Sequence, residues 1–271
     1  MERMQGDTAR NIEVDVAATG FVVAAGHRLE YRTIPATRAG APVLVFLHEG
    51  LGSRDLWREF PDRVAERTGC AALVYSRYGF GRSDLLTGRR GPEYLDVEAL
   101  EALPEVLARF RIERPVLIGH SDGGTIALMH AAAGRWPVRG MVVMAPHIFV
   151  EEVTLEGIRQ AKAAFTAGPL RRGLAPWHLD VDATFAGWAD VWLTPAFHDW
   201  TIEPRLGGIR CPLLLIQGEL DQYGSPEQVR ATARRVSGPA EVMLIPGCGH
   251  GPHVEQEALV LGAIAEFVMD L

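Results

Sequence analysis

Apolar residues gather along the chain in six short unbroken runs: Val43–Leu47, Ala71–Tyr75, Val116–Ile118, Val142–Met144, Leu213–Ile216 and Val242–Ile245. Runs of this length without polar alternation suit strands covered on both faces, hence a parallel sheet with helices on each side. Between them the period changes. Leu56, Phe60 and Val64 recur every four residues, as do Val260, Ile264 and Val268, with Leu261 and Phe267 widening the second stripe. Each pattern predicts a helix with one apolar face. A further helix is expected over Asp96–Phe110, kinked or restarted at Pro104, which has no N–H to donate. At the front, Ile12–Thr33 carries alternating valines with turn glycines at Gly20 and Gly26, the pattern of an antiparallel leading edge. The expected class is α/β, a mostly parallel central sheet flanked by helices.

From Phe149 to Leu206 this alternation stops. No strand-like run occurs there, yet 8 of the chain's 21 aromatic residues fall in these 58 positions, among them Trp177, Trp188, Trp192 and Trp200. Such density implies a helical subdomain with its own small aromatic core, or an inserted lid whose inner aromatics line an apolar pocket. The two readings are compatible. The expected division is a core of residues 1–148 and 207–271 with an inserted helical cap over 149–206.

Composition narrows the function classes. With 48% hydrophobic and 23% charged residues, the chain has the make-up of a soluble globular protein. At 271 residues it is long enough to hold a core without disulfides or a structural metal. Its 27 basic and 34 acidic residues leave a net charge of −7, which argues against a nucleic-acid or anionic-membrane binder. Only one basic residue is a lysine, Lys162. Cys70, Cys211 and Cys248 form no Cys-x-x-Cys pair and lie beside expected strands, so neither a disulfide framework nor a zinc site is expected. Glu2, Arg3, Asp7, Arg10, Glu13 and Asp15 leave no room for the apolar region of a secretory leader. No apolar run reaches the ~18 residues of a membrane-spanning helix. A cytoplasmic setting is the default expectation.

The chemistry is concentrated at strand ends. After Val116–Ile118 comes Gly119-His120-Ser121-Asp122-Gly123-Gly124, followed by a stretch rich in small residues. This is Gly-x-Ser-x-Gly between a strand and a helix, the context in which that motif carries a nucleophile. A sharp strand-to-helix turn lifts the serine clear of the backbone, and flanking glycines remove Cβ atoms that would clash. The helix N-terminus below favours an oxyanion. A serine hydroxyl needs a base, and the base needs an orienting carboxylate. Leu213–Ile216 runs into Gln217-Gly218-Glu219-Leu220-Asp221, and the last strand runs into Pro246-Gly247-Cys248-Gly249-His250. Loops after successive parallel strands open on one edge, so Ser121, Asp221 and His250 can converge there.

The order Ser121, Asp221, His250 on this scaffold resembles a serine-dependent α/β-hydrolase with a cap, and the likeness runs from the Val43 strand to the C-terminal helix. It extends to His48-Glu49-Gly50-Leu51-Gly52-Ser53, similar to the family's strand-end His-Gly motif. It also takes in Ser76-Arg77-Tyr78-Gly79-Phe80-Gly81-Arg82-Ser83-Asp84, like the Arg-x-Gly-x-Gly-x-Ser loop of capped members. The segment Phe149–Leu206 sits where the family inserts its cap. The resemblance implies cleavage of a carboxylic ester or lactone through an acyl-enzyme, with the N–H groups of Asp122 and Gly50 as the oxyanion hole. It implies Asp221, in Gly-x-x-Asp, rather than Glu219 as the acid, and it implies no cofactor or metal. The chain departs from the family where Glu49 stands in place of the usual glycine after His48; the family pattern places an oxyanion N–H about two residues after the histidine, which implies Gly50.

Other neighbours carry two readings each. The Asp122 carboxylate is either structural or, with Glu49, presents negative charge to a cationic substrate. His120 is packing or pocket lining rather than a second base, and Trp177, Trp188 and Trp192 are candidate pocket residues suited to an apolar, even bulky, group. His253 follows His250 at a spacing seen in some metal sites, but no His-Glu-x-x-His helix exists here. Halide-releasing and epoxide-opening relatives in the family it resembles use an aspartate at the elbow, and Ser121 argues against both. Amide and prolyl peptidases, carbon–carbon bond hydrolases, acyltransferases, perhydrolases and a low-turnover receptor remain open. The expected partner is a small ester-type molecule.

Overall fold

A computed structural model describes Val14 and residues 16–271. The remaining N-terminal residues, on which the reading of a missing leader and the start of the expected leading edge rest, lie outside the described residues. Eight described strands form one sheet in the order β1-β2-β4-β3-β5-β6-β7-β8. They are β1 (Ala18–Ala24), β2 (His27–Ile34), β3 (Val43–Leu47), β4 (Ala71–Tyr75), β5 (Val116–His120), β6 (Gly140–Met144), β7 (Leu213–Gly218) and β8 (Ala240–Ile245). β2 is antiparallel to both β1 and β4, while neighbours from β4 through β8 run parallel. The six apolar runs are the six parallel strands, and the leading edge is the β1–β2 hairpin. Gly26, at φ 76°, turns that hairpin as expected, whereas Gly20 lies inside β1 opposite Tyr31. There its missing side chain makes room for the Tyr31 ring.

Alternate residues of the parallel strands feed two apolar layers, as the two-residue period of a strand requires. Leu44, Phe46, Ile118, Val142 and Ile216 pack with α1 (Phe60–Thr68) on one face. The last helix of the chain, Glu257–Met269, buries Val260, Ile264 and Val268 in the same layer. Val45, Leu47, Leu117, Val143 and Leu215 pack on the other face. There they meet the helical stretch α2 (Tyr94–Val97) to α3 (Leu103–Arg109) and α4 (Asp122–Ala132). Between α2 and α3 the chain makes a π-helical turn, Glu98–Ala102, in which the Leu103 N–H reaches back to Glu98 O. The wide turn adjoins Pro104, the residue that cannot donate to a regular turn.

Between β6 and β7 the chain is helical: α5 (Glu152–Thr166), α6 (Pro169–Leu174), α7 (Val181–Trp192) and short 3-10 turns. Its aromatic residues do not form a separate core. Phe185, Trp188, Trp192 and Phe197 belong to the same buried cluster as Val45, Leu117 and Val143 of the sheet. Completing the fold are α8 (Glu227–Arg235), α9 (Pro252–Glu255) and the last helix, α10 (Glu257–Met269). The three cysteines are unpaired. Burial pushes the Cys211 and Cys248 thiols up to about 11, so they stay protonated. No described helix is long and apolar enough to cross a membrane.

Candidate active site

Apart from those of the helical excursion, the expected site residues lie at the C-terminal edge of the sheet, His120 as the last residue of β5 and the others in the loops or helix that follow parallel strands. Ser121 stands between β5 and α4 at φ 52° and ψ −119°, a conformation that side-chain-bearing residues rarely adopt. Its N–H donates to Met144 O at 2.8 Å and its carbonyl accepts from Thr125 N at 3.0 Å, which fixes the turn. Only glycine fits at 123, because a Cβ there would lie 1.9 Å from Leu47 O. The close approach of α4 to β3 depends on it.

His250, after β8, directs Nδ1 at Asp221, with Oδ1 at 2.9 Å and Oδ2 at 2.8 Å. Nδ1 is therefore the protonated nitrogen of the neutral ring, and Nε2 is left with its lone pair. Asp221 also accepts from Tyr223 N at 2.7 Å, Gly224 N at 3.3 Å and Gln217 Nε2 at 2.6 Å. Burial alone would raise this carboxyl, but the His250 ring and the Tyr223 N–H outweigh it and hold the group below the usual carboxylate range. Glu219, the rival acid, is exposed. Because the folded-state value is depressed, the stability this carboxylate contributes is complete above its ordinary value of about 4 and lost as pH falls through the lower folded value. In urea titrations at stepped pH, Asp221→Asn should therefore lose less stability on acidification than the parent. Superimposable acid limbs would show that the tie stabilises nothing.

Ser121 and His250 line one cavity of about 90 Å³ together with Glu49, Gly50, Leu51, Asp122, His147, Thr154, Ile158, Trp188, Trp192 and Tyr223. That volume is well below the roughly 300–1,000 Å³ of pockets for drug-sized ligands, so the expectation of a bulky group does not fit this cavity. Trp188 closes over Gly50, where a Cβ would lie 2.2 Å from the indole Nε1. Trp192 donates from Nε1 to the Tyr94 hydroxyl at 2.8 Å.

Two expected pocket residues are corrected. Trp177 is absent from the lining and lies in a 3-10 turn with the Arg58 guanidinium 5.2 Å over its ring. His120 is also absent from the lining, because alternation along β5 sends it to the opposite side of the strand from the cavity. Its ring is 4.8 Å from that of His253. His253 in turn packs against Trp57 at 5.0 Å and Phe60 at 5.3 Å, an aromatic surrounding rather than a ligand set.

The two readings of Asp122 are decided by its neighbours. Its Oδ2 accepts from the Tyr94 hydroxyl at 2.9 Å and lies 3.5 Å from Arg77 Nη2, with the Arg77 and Asp122 side chains 0% and 1% exposed. The carboxylate is structural. Arg77 reaches further: Nη2 also donates to Glu49 O at 2.9 Å and His48 O at 3.3 Å, bracing the strand end before Gly50. The Arg77 N–H donates to His48 Nε2 at 3.0 Å, while the other ring nitrogen donates to Glu49 O at 2.7 Å. His48 is thus neutral, and burial with the Arg77 charge holds it well below its ordinary value. His178 joins the helical excursion to this edge, accepting from Gly81 N and donating to Leu51 O, each at 3.0 Å.

Sequence reasoning missed Arg77, Gln217, His147, Tyr223, Thr154 and Ile158 as site residues. His147 had a readable signal, since it follows β6 as Ser121 follows β5. Its Nε2 donates to Tyr223 O at 3.0 Å, and burial lowers its ring below the ordinary histidine value.

The alpha/beta hydrolase family model matches residues 44–263, and the chain belongs to that family. It is 32% identical over 145 residues to 2-succinyl-6-hydroxy-2,4-cyclohexadiene-1-carboxylate synthase of Photorhabdus laumondii, covering 51% of this chain and 49% of that protein. It is 33% identical over 109 residues to a proline iminopeptidase of Lactobacillus helveticus, covering 39% of this chain and 35% of that protein. The match thus spans about half the length of the first relative and about a third of the second. Among solved structures, an enol-lactonase from Burkholderia xenovorans LB400 shares the fold with a TM-score of 0.74 at 19% identity, covering 92% of this chain and 100% of that one.

Proposed function

We propose that the protein is a serine hydrolase that cleaves small carboxylic esters or lactones through an acyl-enzyme. The observation that carries this reading is the compartment shared by a serine on a strained turn and an imidazole whose far nitrogen is tied to a carboxylate. Ser121 attacks the carbonyl carbon while His250 Nε2 takes its proton. Asp221 holds the ring in the reactive tautomer and stabilises the imidazolium. The N–H groups of Asp122, at the start of α4, and Gly50 stabilise the oxyanion. The imidazolium protonates the departing alkoxide, and a water activated by the same Nε2 then releases the acid and restores the serine.

In this reading, residues 149–206 act as a cap on a core of 1–148 and 207–271, and Trp188 and Trp192 exclude water from the reacting carbonyl. Apolar lining and small volume favour a short acyl group. A cationic substrate has less support, because Asp122 is already balanced by Arg77 and Glu49 faces His120. A panel of aryl esters of rising acyl length, lactones, an amino-acid ester and a proline anilide tests the proposal. The expected result is turnover of short esters or lactones well above that of the anilide, falling as the acyl chain outgrows the cavity. Preferential cleavage of the anilide would replace the ester reading with a peptidase one.

A further inference from the structure

Beside Ser121, the His120 ring faces the Glu49 carboxylate, and the reaction above makes no use of this pair. His120 Nε2 stands 2.8 Å from the backbone carbonyl of His250, which can only accept, so Nε2 carries a proton. The ring's other nitrogen, Nδ1, faces Glu49 Oε2 at 3.6 Å and has no closer hydrogen-bond partner among the described residues. A lone pair on Nδ1 would oppose the carboxylate, whereas a second proton turns that repulsion into attraction. The geometry therefore calls for an imidazolium.

The surroundings agree. Burial works against a charge on His120, but Glu49 outweighs it, and the net effect raises His120 above its ordinary value. Burial likewise pushes Glu49 upward, yet His120, with His48 and His253, holds it well below the usual carboxylate range. Burial and the His120 charge drive His253 down to about 3, so it stays neutral. The remaining groups facing His120 are the His250 ring at 5.1 Å, the Trp57 ring at 6.5 Å and the more distant Asp221 charge.

We infer that His120 is a positioning residue: bridging Glu49 and the His250 carbonyl as an imidazolium, it sets the spacing between the loops that carry Gly50 and His250 on either side of Ser121. This rests on the hydrolase reading above. It gives a role to the chain's departure from the family pattern, since the glycine that usually follows His48 could not supply the carboxylate. The sign of the pH dependence follows. A histidine with a raised folded-state value holds its bridge in full below its ordinary value of about 6.5 and loses it as pH rises through the folded value, so kcat should fall on the alkaline side.

Two measurements test the inference. Long-range nitrogen–proton spectra of the labelled protein at pH 6 should show both His120 ring nitrogens protonated, and a neutral ring would overturn the bridge whether or not any substrate is turned over. With p-nitrophenyl acetate, Glu49→Gln should move the alkaline limb of kcat down by about 1–3 pH units, the usual effect of losing an adjacent charge. His120→Gln keeps an N–H for the His250 carbonyl but cannot take a charge. It should lose the alkaline limb and lower kcat by up to about a hundredfold with little change in KM, the scale expected of misplaced reacting groups. Parental pH profiles in both variants would overturn the proposal. Phosphonylation of Ser121 by a fluorophosphonate, followed over the same pH range, reads nucleophile alignment without an ester substrate. Failure of the ester reading is thereby distinguished from failure of the bridge.

Discussion

Ser121→Ala should reduce ester turnover by at least about 10³-fold and abolish fluorophosphonate labelling, with the fold intact. The hydroxyl is the one group in the cavity that combines a strained mount, a neighbouring imidazole and a helix N-terminus. Removing it leaves only binding and the oxyanion donors. The strain makes a second, opposite readout available. At φ 52° a side chain is disfavoured, whereas glycine adopts such angles freely. Ser121→Gly should therefore be as inactive as the alanine variant yet more stable by about 1 kcal/mol, once the added freedom of the unfolded glycine is set against the relieved strain. Thermal melting and turnover measured on the same preparations check both halves. Equal ester rates in parent and alanine variant would remove Ser121 from the chemistry. A less stable glycine variant would show that the turn is not strained.

The second large effect concerns the buried pair beneath the site. Arg77→Met should destabilise the protein by about 3–5 kcal/mol, the usual cost of leaving a buried charge without its partner. The variant strands the Asp122 carboxylate and takes the donor away from the carbonyls of His48 and Glu49. Asp122→Asn should destabilise for the complementary reason, removing the carboxylate paired with the buried guanidinium, which overlies Phe80 at 4.6 Å. The double variant should cost less than the sum of the singles, because no unpaired charge remains. A urea double-mutant cycle measures this, and strict additivity would refute the coupling. Asp122→Asn should also affect cationic and neutral esters alike, since its carboxylate is spent on Arg77 and Tyr94.

Most of the scaffold was legible because a parallel sheet leaves an uncomplicated trace. Strands such as Val43–Leu47 and Ala71–Tyr75 are buried on both faces, so their bounds follow the apolar run. Runs that end in polar or glycine residues were read short. β5 continues through Gly119 and His120, and β7 through Gln217 and Gly218, because backbone pairing does not depend on side-chain polarity. The placement of Asp221 against His250, and of His250 and Ser121 around one cavity, was legible since each follows a strand of one parallel set. The lining was less so. Aromatic content marks Trp177, Trp188 and Trp192 equally, and only their places on α7 or in a 3-10 turn separate the two that reach the cavity from the one that does not. Arg77 was visible as part of a motif, but its partners lie 28 and 45 positions away in sequence at Glu49 and Asp122. Nothing local to either end announces the pair.

The merging of the excursion's aromatic side chains with the sheet's apolar layer has a thermal consequence. Lifting residues 149–206 would bare Tyr94 of α2 and His147 after β6, against which Phe197 and Trp192 pack, so heat is expected to loosen the excursion and its support together. For the proposed hydrolase, substrate entry is then expected through local yielding of side chains such as Trp188, which closes over Gly50, rather than through detachment of the whole excursion.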